Sequence, residues 1–256
     1  IVLNYPETPP MRRTELRRTA TRATGDVGVS VVGAGNFARL ILLPELKRAQ
    51  SVKLRGLCSA KGLTATQTGD QLGFSFATSE VERILDDKDT KAIFVLTRHD
   101  LHAALVERAI KAGKHVFVEK PLCVRASELE ALRRTVVAAG REAPVVSVGF
   151  NRRFAKSIRT IRDFFPRRVP LSIHFRFVTA EIPKEVWVHD IDIGGGRLIG
   201  EACHAVDTAI AIAESPVVKV YAEALPTGSP ATDDRVVIVM RHENGCVSNI
   251  QYDAGG

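Results

Sequence analysis

Residues 194–207, GGGRLIGEACHAVD, place three glycines, a glutamate, a cysteine, a histidine and an aspartate within one short stretch. Three chemistries compete for such a cluster: a metal centre, a phosphate-cradling loop, or one wall of an active site. On a helix Glu201 and His204 stand at i and i+3, about 60° apart, and share a face. Cys203 and Asp207 point roughly the opposite way, so the cluster does not close around one metal ion. The phosphate-loop and active-site readings both stay open, and the stretch does not decide between them alone: any partner has to come from elsewhere in the chain.

HVFVEKPLC (115–123) offers that partner. A buried strand delivers Glu119, Lys120 and Pro121 to the carboxyl edge of a parallel sheet, where open α/β folds place ligands. A lysine there can donate or accept a proton when burial or a nearby positive charge lowers its pKa. A charged residue also ends many strands for no chemical reason, so the motif does not decide the matter alone.

GAGNFA (33–38) follows a strand and opens a helix. Gly33 suits a tight turn, Gly35 lets the backbone approach a pyrophosphate, and Ala38 packs helix against strand. Asn36 and Phe37 open the helix, whose unpaired N–H groups face the phosphates. The expected cofactor is NAD(P). The second strand ends in Cys58-Ser59-Ala60-Lys61, without the carboxylate that usually holds an NAD ribose. Ser59 and Lys61 can meet a 2′-phosphate, which tilts the expectation to NADP. A solvated lysine at a helix start is the plain alternative for Lys61.

These motifs need a scaffold, and the bulk numbers allow one. With 256 residues, 45% of them hydrophobic and 25% charged, the chain suits one large or two ordinary globular domains. Cys58, Cys123, Cys203 and Cys246 lie far apart without a CxxC pair, which argues against structural zinc and disulfides and for a reducing cytoplasm. No apolar run reaches the ~20 residues of a membrane helix, and no secretory signal opens the chain. The net charge is +7, of which MRRTELRRTATR (11–22) supplies four through five arginines and one glutamate. That segment lacks interleaved aromatics and reads as a solvated linker rather than a nucleic-acid surface.

From Val27 short β-branched runs alternate with amphipathic stretches. Strands are predicted at 27–33, 52–58, 91–96, 115–119 and 144–150, and helices at 36–49, 63–72, 79–87, 102–113 and 127–140. Apolar strands alternating with helices predict a doubly wound parallel sheet, a Rossmann domain over 26–150. Beyond Asn151 come a helix at 153–165, a strand at 171–182 and a helix ending near Glu214. Strands at 217–225, 235–242 and 246–254 then predict a second α/β domain over 151–256 with an open, mostly antiparallel sheet. The last strand runs into the chain end, which reads as an incomplete domain. Residues 1–25 read as a linker or the remnant of an upstream domain.

GAGNFA, TRHDLH (97–102), AGKHVFVEKPL (112–122), GFNRRF (149–154) and GGGRLIGEACHAVD, in this order, resemble the Gfo/Idh/MocA oxidoreductase family, which includes glucose–fructose oxidoreductase and inositol dehydrogenase. The resemblance runs from about Val27 to the end. It implies an NAD(P)-dependent enzyme transferring a hydride to or from a hydroxyl carbon of a sugar, cyclic polyol or nucleotide-sugar. Lys120 corresponds to the lysine that contacts the substrate hydroxyl and often the nicotinamide ribose, and His204 to the proton-transfer histidine. Thr97, Arg98, His102 and Glu119 would line the cofactor, and Asn151 and Arg152 would lead toward substrate. A cis Lys120-Pro121 peptide and a homo-oligomer formed through the second domain's sheet are implied as well.

His99 has no matched role, and HxxH at 99–102 has no third metal ligand near it. Common members carry Asp four residues before the histidine. Here that position is Gly200, and the carboxylate is displaced to Glu201, which could orient His204, bind substrate, or do neither. The GRLIGE form also resembles members fused behind a zinc alcohol-dehydrogenase-like domain. A non-catalytic cofactor- or sugar-sensing module of the same fold is the alternative function.

Overall fold

The computed structural model describes residues 27–165, 169–225 and 235–255. The arginine-rich segment and the expected upstream remnant lie outside them. Six strands, β1 (Val27–Val32), β2 (Val52–Cys58), β3 (Phe76–Thr78), β4 (Ala92–Val95), β5 (His115–Val118) and β6 (Val146–Val148), form one sheet in the order β3-β2-β1-β4-β5-β6. The pairs β1–β2, β1–β4, β2–β3 and β4–β5 are parallel. Helices α1 (Leu43–Arg48), α2 (Gly62–Leu72), α3 (Val81–Leu85), α4 (His102–Lys111) and α5 (Ala126–Ala139) alternate with the strands.

Five of the six β1 residues are buried, as expected of a central strand covered on both faces. Val31, Leu43, Leu57 and Phe74 share one core. The strand order reverses between β1 and β4, so the glycine-rich turn after β1 sits at the switch point where such sheets bind ligands. β3 is the strand that periodicity misses. Three residues are too few for a hydrophobic alternation, and only pairing with β2 defines them.

The first helix widens into a π-turn over Ala38–Leu42 before α1. Pro44, at the start of α1, has no N–H to return to the preceding turn, which accounts for the loosened winding.

The second sheet holds β7 (Ser172–Val178), β8 (Val217–Ala224), β9 (Arg235–His242) and β10 (Val247–Asp253) in the order β7-β10-β9-β8. β10–β9 and β9–β8 are antiparallel, whereas β10–β7 is parallel, so the sheet is mixed with an antiparallel majority. Helices α6 (Lys156–Phe164) and α7 (Cys203–Ala213) accompany it. Ala202, Ala205, Ala209 and Ala213 recur at helical spacing and share a core with Ile238, Ile250 and Tyr252. Small side chains let the helix lie close to the strands.

Two compact units result. One gathers the chain through Thr97 with Ala104–Val118 and Leu132–Ser147; the other gathers Arg98–Ala103, Glu119–Ala131 and Val148 onward. The packing thereby groups Arg98, His99, His102, Glu119 and Lys120 with His204.

Candidate active site

In the first unit Gly33 adopts φ +109°, and a Cβ there would lie 2.4 Å from the Leu96 carbonyl oxygen and 2.9 Å from the Thr97 nitrogen. Only glycine fits this left-handed, crowded position. The Gly33 N–H donates to the Cys58 carbonyl at 2.9 Å, which brings the turn beside Ser59. Around Gly35 nothing approaches a Cβ position within 4 Å, and Gly35, Asn36 and Phe37 are exposed while Ala38 packs into the core.

The first helical bond runs from the Arg39 N–H to the Gly35 carbonyl. The N–H groups of Asn36, Phe37 and Ala38 therefore precede the first intrahelical donor and have no acceptor within the helix. An open glycine beside three such donors fits a pyrophosphate. Asn36 also accepts a bond from Arg39 through Oδ1 at 2.9 Å. Lys61 is exposed at the residue before α2, and Ser59 is half-buried.

In the second unit the Lys120-Pro121 peptide is cis. The Lys120 ammonium donates to the Gly200 carbonyl at 2.5 Å. Gly200 lies in a second π-turn, Leu198–Ala202, where the Cys203 N–H reaches back five residues to the Leu198 carbonyl. Such turns recur at functional sites because they disturb the regular backbone bonding. His204 follows on α7 with its Nδ1 buried and without a hydrogen-bond partner.

Burial, and then the charges of Lys120 and Arg152, lower the His204 pKa from the ordinary 6.5 to about 4. The imidazole is neutral at pH 7 and has a lone pair to offer. The Phe150 ring meets it edge-on, with centroids 6.1 Å apart. Arg152 lies over the Phe177 ring at 4.6 Å, whereas Asn151 is exposed. Glu119 is half-buried, and burial raises its pKa. A pocket of about 330 Å³ opens beside this group, walled by Pro121, Phe150, Ile199, Cys203 and Val206 among others. At its rim Asp207 is paired in bidentate fashion with Arg153.

Residues 27–150 match the oxidoreductase family with an NAD-binding Rossmann fold, GFO/IDH/MocA, and residues 169–254 match the GFO/IDH/MocA C-terminal domain. The chain belongs to the Gfo/Idh/MocA family of NAD(P)-dependent oxidoreductases. It is 27% identical over 231 residues to the 1,5-anhydro-D-fructose reductase of Ensifer adhaerens, covering 88% of this chain and 68% of that one. It is 23% identical over 227 residues to the myo-inositol 2-dehydrogenase of Thermotoga maritima, covering 87% and 67%. The structure of an aldose-aldose oxidoreductase from Caulobacter crescentus superposes with a TM-score of 0.76 at 22% identity, covering 90% of this chain and 72% of the other. This chain thus spans about two thirds of the relatives' length.

Within the Gfo/Idh/MocA scaffold the structure fixes the surroundings of residues that the sequence singled out. Glu201 does not turn to His204. Its carboxylate accepts bonds from Arg197 at 3.1 and 3.3 Å and from the Tyr252 hydroxyl at 2.8 Å. The π-turn breaks the regular α-helical offset on which a shared Glu201–His204 face rests. Cys203 and Asp207, expected to point away from Glu201 and His204, both wall the pocket, whose lining includes neither of those two. Cys203 also feels the Lys120 charge, although burial pushes its thiol pKa up to about 11. His102, expected to line the cofactor, is fully buried and binds the Pro121 carbonyl through Nδ1 at 2.7 Å. It supports the peptide that carries Lys120.

One neighbour escapes sequence reading. Trp187, the single tryptophan, meets His99 edge-on at 4.8 Å and carries the Arg98 guanidinium over its ring at 5.6 Å. Its position just ahead of the triple glycine is the one signal available. Among the described residues no group of three His, Cys, Asp or Glu side chains is placed to hold a metal ion, and no helix is long and apolar enough to cross a membrane.

Proposed function

We propose that the chain catalyses reversible oxidation of a secondary hydroxyl on a sugar, cyclic polyol or nucleotide-sugar, and that it prefers NADP to NAD. The observation that carries this reading is a lysine ammonium and a neutral, unpartnered histidine in one neighbourhood beside a largely apolar pocket. A sugar or cyclitol ring has apolar C–H faces and a hydroxyl rim, which suits such walls with polar groups at their edge. The named substrates of the relatives, 1,5-anhydro-D-fructose and myo-inositol, are of this class.

Lys120, steered by the Gly200 carbonyl, holds the substrate oxygen with its remaining N–H donors and stabilises negative charge as the hydroxyl proton leaves. His204 accepts that proton, because burial and two neighbouring cations keep its imidazole unprotonated. Gly33, Gly35, Asn36, Phe37 and Ala38 would hold the pyrophosphate, and Thr97, Arg98 and Glu119 the nicotinamide end. Ser59 and Lys61 would take the 2′-phosphate, supported by the missing carboxylate at the end of β2. When bound, a nicotinamide exchanges hydride with the carbinol carbon.

The test is nicotinamide absorbance with both cofactors across myo-inositol, D-glucose, D-xylose and UDP-glucose. Lys120→Ala is expected to abolish turnover, at least about 100-fold, while cofactor affinity measured by calorimetry changes little. Retained turnover in that variant sinks the assignment. A sensing module would instead bind sugar and cofactor without hydride exchange in the unaltered chain.

A further inference from the structure

The proton-transfer scheme leaves one imidazole of the same neighbourhood without a task. His99 sits in a single 3-10 turn, Leu101 included, just ahead of α4. Its Nδ1 lies 2.8 Å from the Gly194 carbonyl oxygen. A carbonyl can only accept, so Nδ1 bears the hydrogen and Nε2 of the neutral ring carries the lone pair. The ring is fixed on a second side by Trp187.

On a third side its Cε1 would lie 3.5 Å from a Cβ at Gly200, the residue whose carbonyl holds Lys120. The next atom of the ring is Nε2, for which the described residues supply no hydrogen-bond partner. Gly194 itself is pinned, since a Cβ there would run into the Val188 carbonyl at 2.5 Å. The imidazole is thus a held acceptor rather than a loose surface side chain.

The electrostatics agree with this geometry. Burial lowers the His99 pKa below 6.5, opposed by the Gly194 carbonyl; Lys120 and His102 lower it further, and Asp100 raises it. Arg98 lies on the far partner, Trp187. Both His99 and His204 feel the Lys120 charge, which disfavours the protonated form of each ring.

We propose that His99 is a specificity residue that accepts a hydrogen bond at Nε2 from the hydroxyl neighbouring the one being oxidised, so that the substrate class is a vicinal diol and not an isolated alcohol. The proposal rests on the dehydrogenase reading and adds to it which hydroxyl pattern the site selects.

The single tryptophan allows a test that needs no turnover. A protonated imidazole quenches a tryptophan ring in contact with it, so Trp187 emission against pH reports His99 ionisation. The titration is run on the chain alone, with the diols myo-inositol, D-glucose and UDP-glucose, and with cyclohexanol, which lacks a neighbouring hydroxyl. A hydroxyl donating to Nε2 binds the neutral ring, so a bound diol should move the quenching midpoint to lower pH and cyclohexanol should not.

His99→Asn keeps an amide N–H for the Gly194 carbonyl and removes Nε2. It should abolish the midpoint and weaken diol binding about tenfold, the scale of one lost hydrogen bond. The idea falls if no diol binds, if cyclohexanol binds as well as the diols, or if His99→Asn keeps diol affinity. Turnover by His99→Asn at an unchanged KM leaves the dehydrogenase standing and removes the diol contact. A diol-shifted midpoint without turnover in the unaltered chain does the reverse.

Discussion

His204 shows how far a residue's surroundings set its chemistry. An exposed histidine titrates near pH 6.5; here burial and the Lys120 and Arg152 charges bring it to about 4. The folded state therefore binds fewer protons than the unfolded chain between those values. The stabilising contribution of the neutral ring is complete above about pH 6.5 and is lost as pH falls toward 4. Denaturant midpoints measured across this window should decline, and His204→Gln should flatten the decline. The acid limb of kcat/KM in the oxidation direction should fall near 4 and not near 6.5; a limb at 6.5 would remove His204 as the proton acceptor. Lys120 and His204 are visible in the sequence because each lies in a motif with a fixed place on its element. The tasks of Glu201 and His102 are not, because Arg197, Tyr252 and the Pro121 carbonyl reach them from distant parts of the chain.

At the scale of the element, the π-turn Leu198–Ala202 decides which side chains meet. Helical spacing puts Glu201 over His204, and the widened turn sends Glu201 to Arg197 and Tyr252. Gly200 occupies that turn without a positive φ, and a Cβ there would meet only the His99 ring at ordinary contact distance. Gly200→Ala should therefore fold and gain roughly 0.5–1 kcal/mol from helix propensity, read as a higher denaturation midpoint. A loss of stability would show that the glycine is required by the turn and not by the space beside His99. Most element positions were legible, since β-branched runs and amphipathic stretches lie where the strands and helices form. β3 was not, for want of length, and neither π-turn announces itself through periodicity.

At the scale of the molecule, we propose the second sheet as the surface for self-association. β8 is exposed along nearly its whole length, and Val218, Val220, Tyr221 and Val237 lie open on β8 and β9. An exposed edge strand of this kind invites pairing or cover. Val237→Lys should dissociate an oligomer built on this face by at least one step in sedimentation, with the far-UV spectrum unchanged; an unaltered mass would place the interface elsewhere. The residues themselves determined the parallel-sheet Rossmann domain, the second α/β region and the family. Each of these is written in local pattern: period, glycine position and motif order. Only tertiary structure decided that His99 stands by Gly200, that His102 is buried support, and that Glu201 serves the sheet. Those outcomes depend on contacts between residues far apart in the chain and on a local winding of the helix, neither of which local pattern encodes.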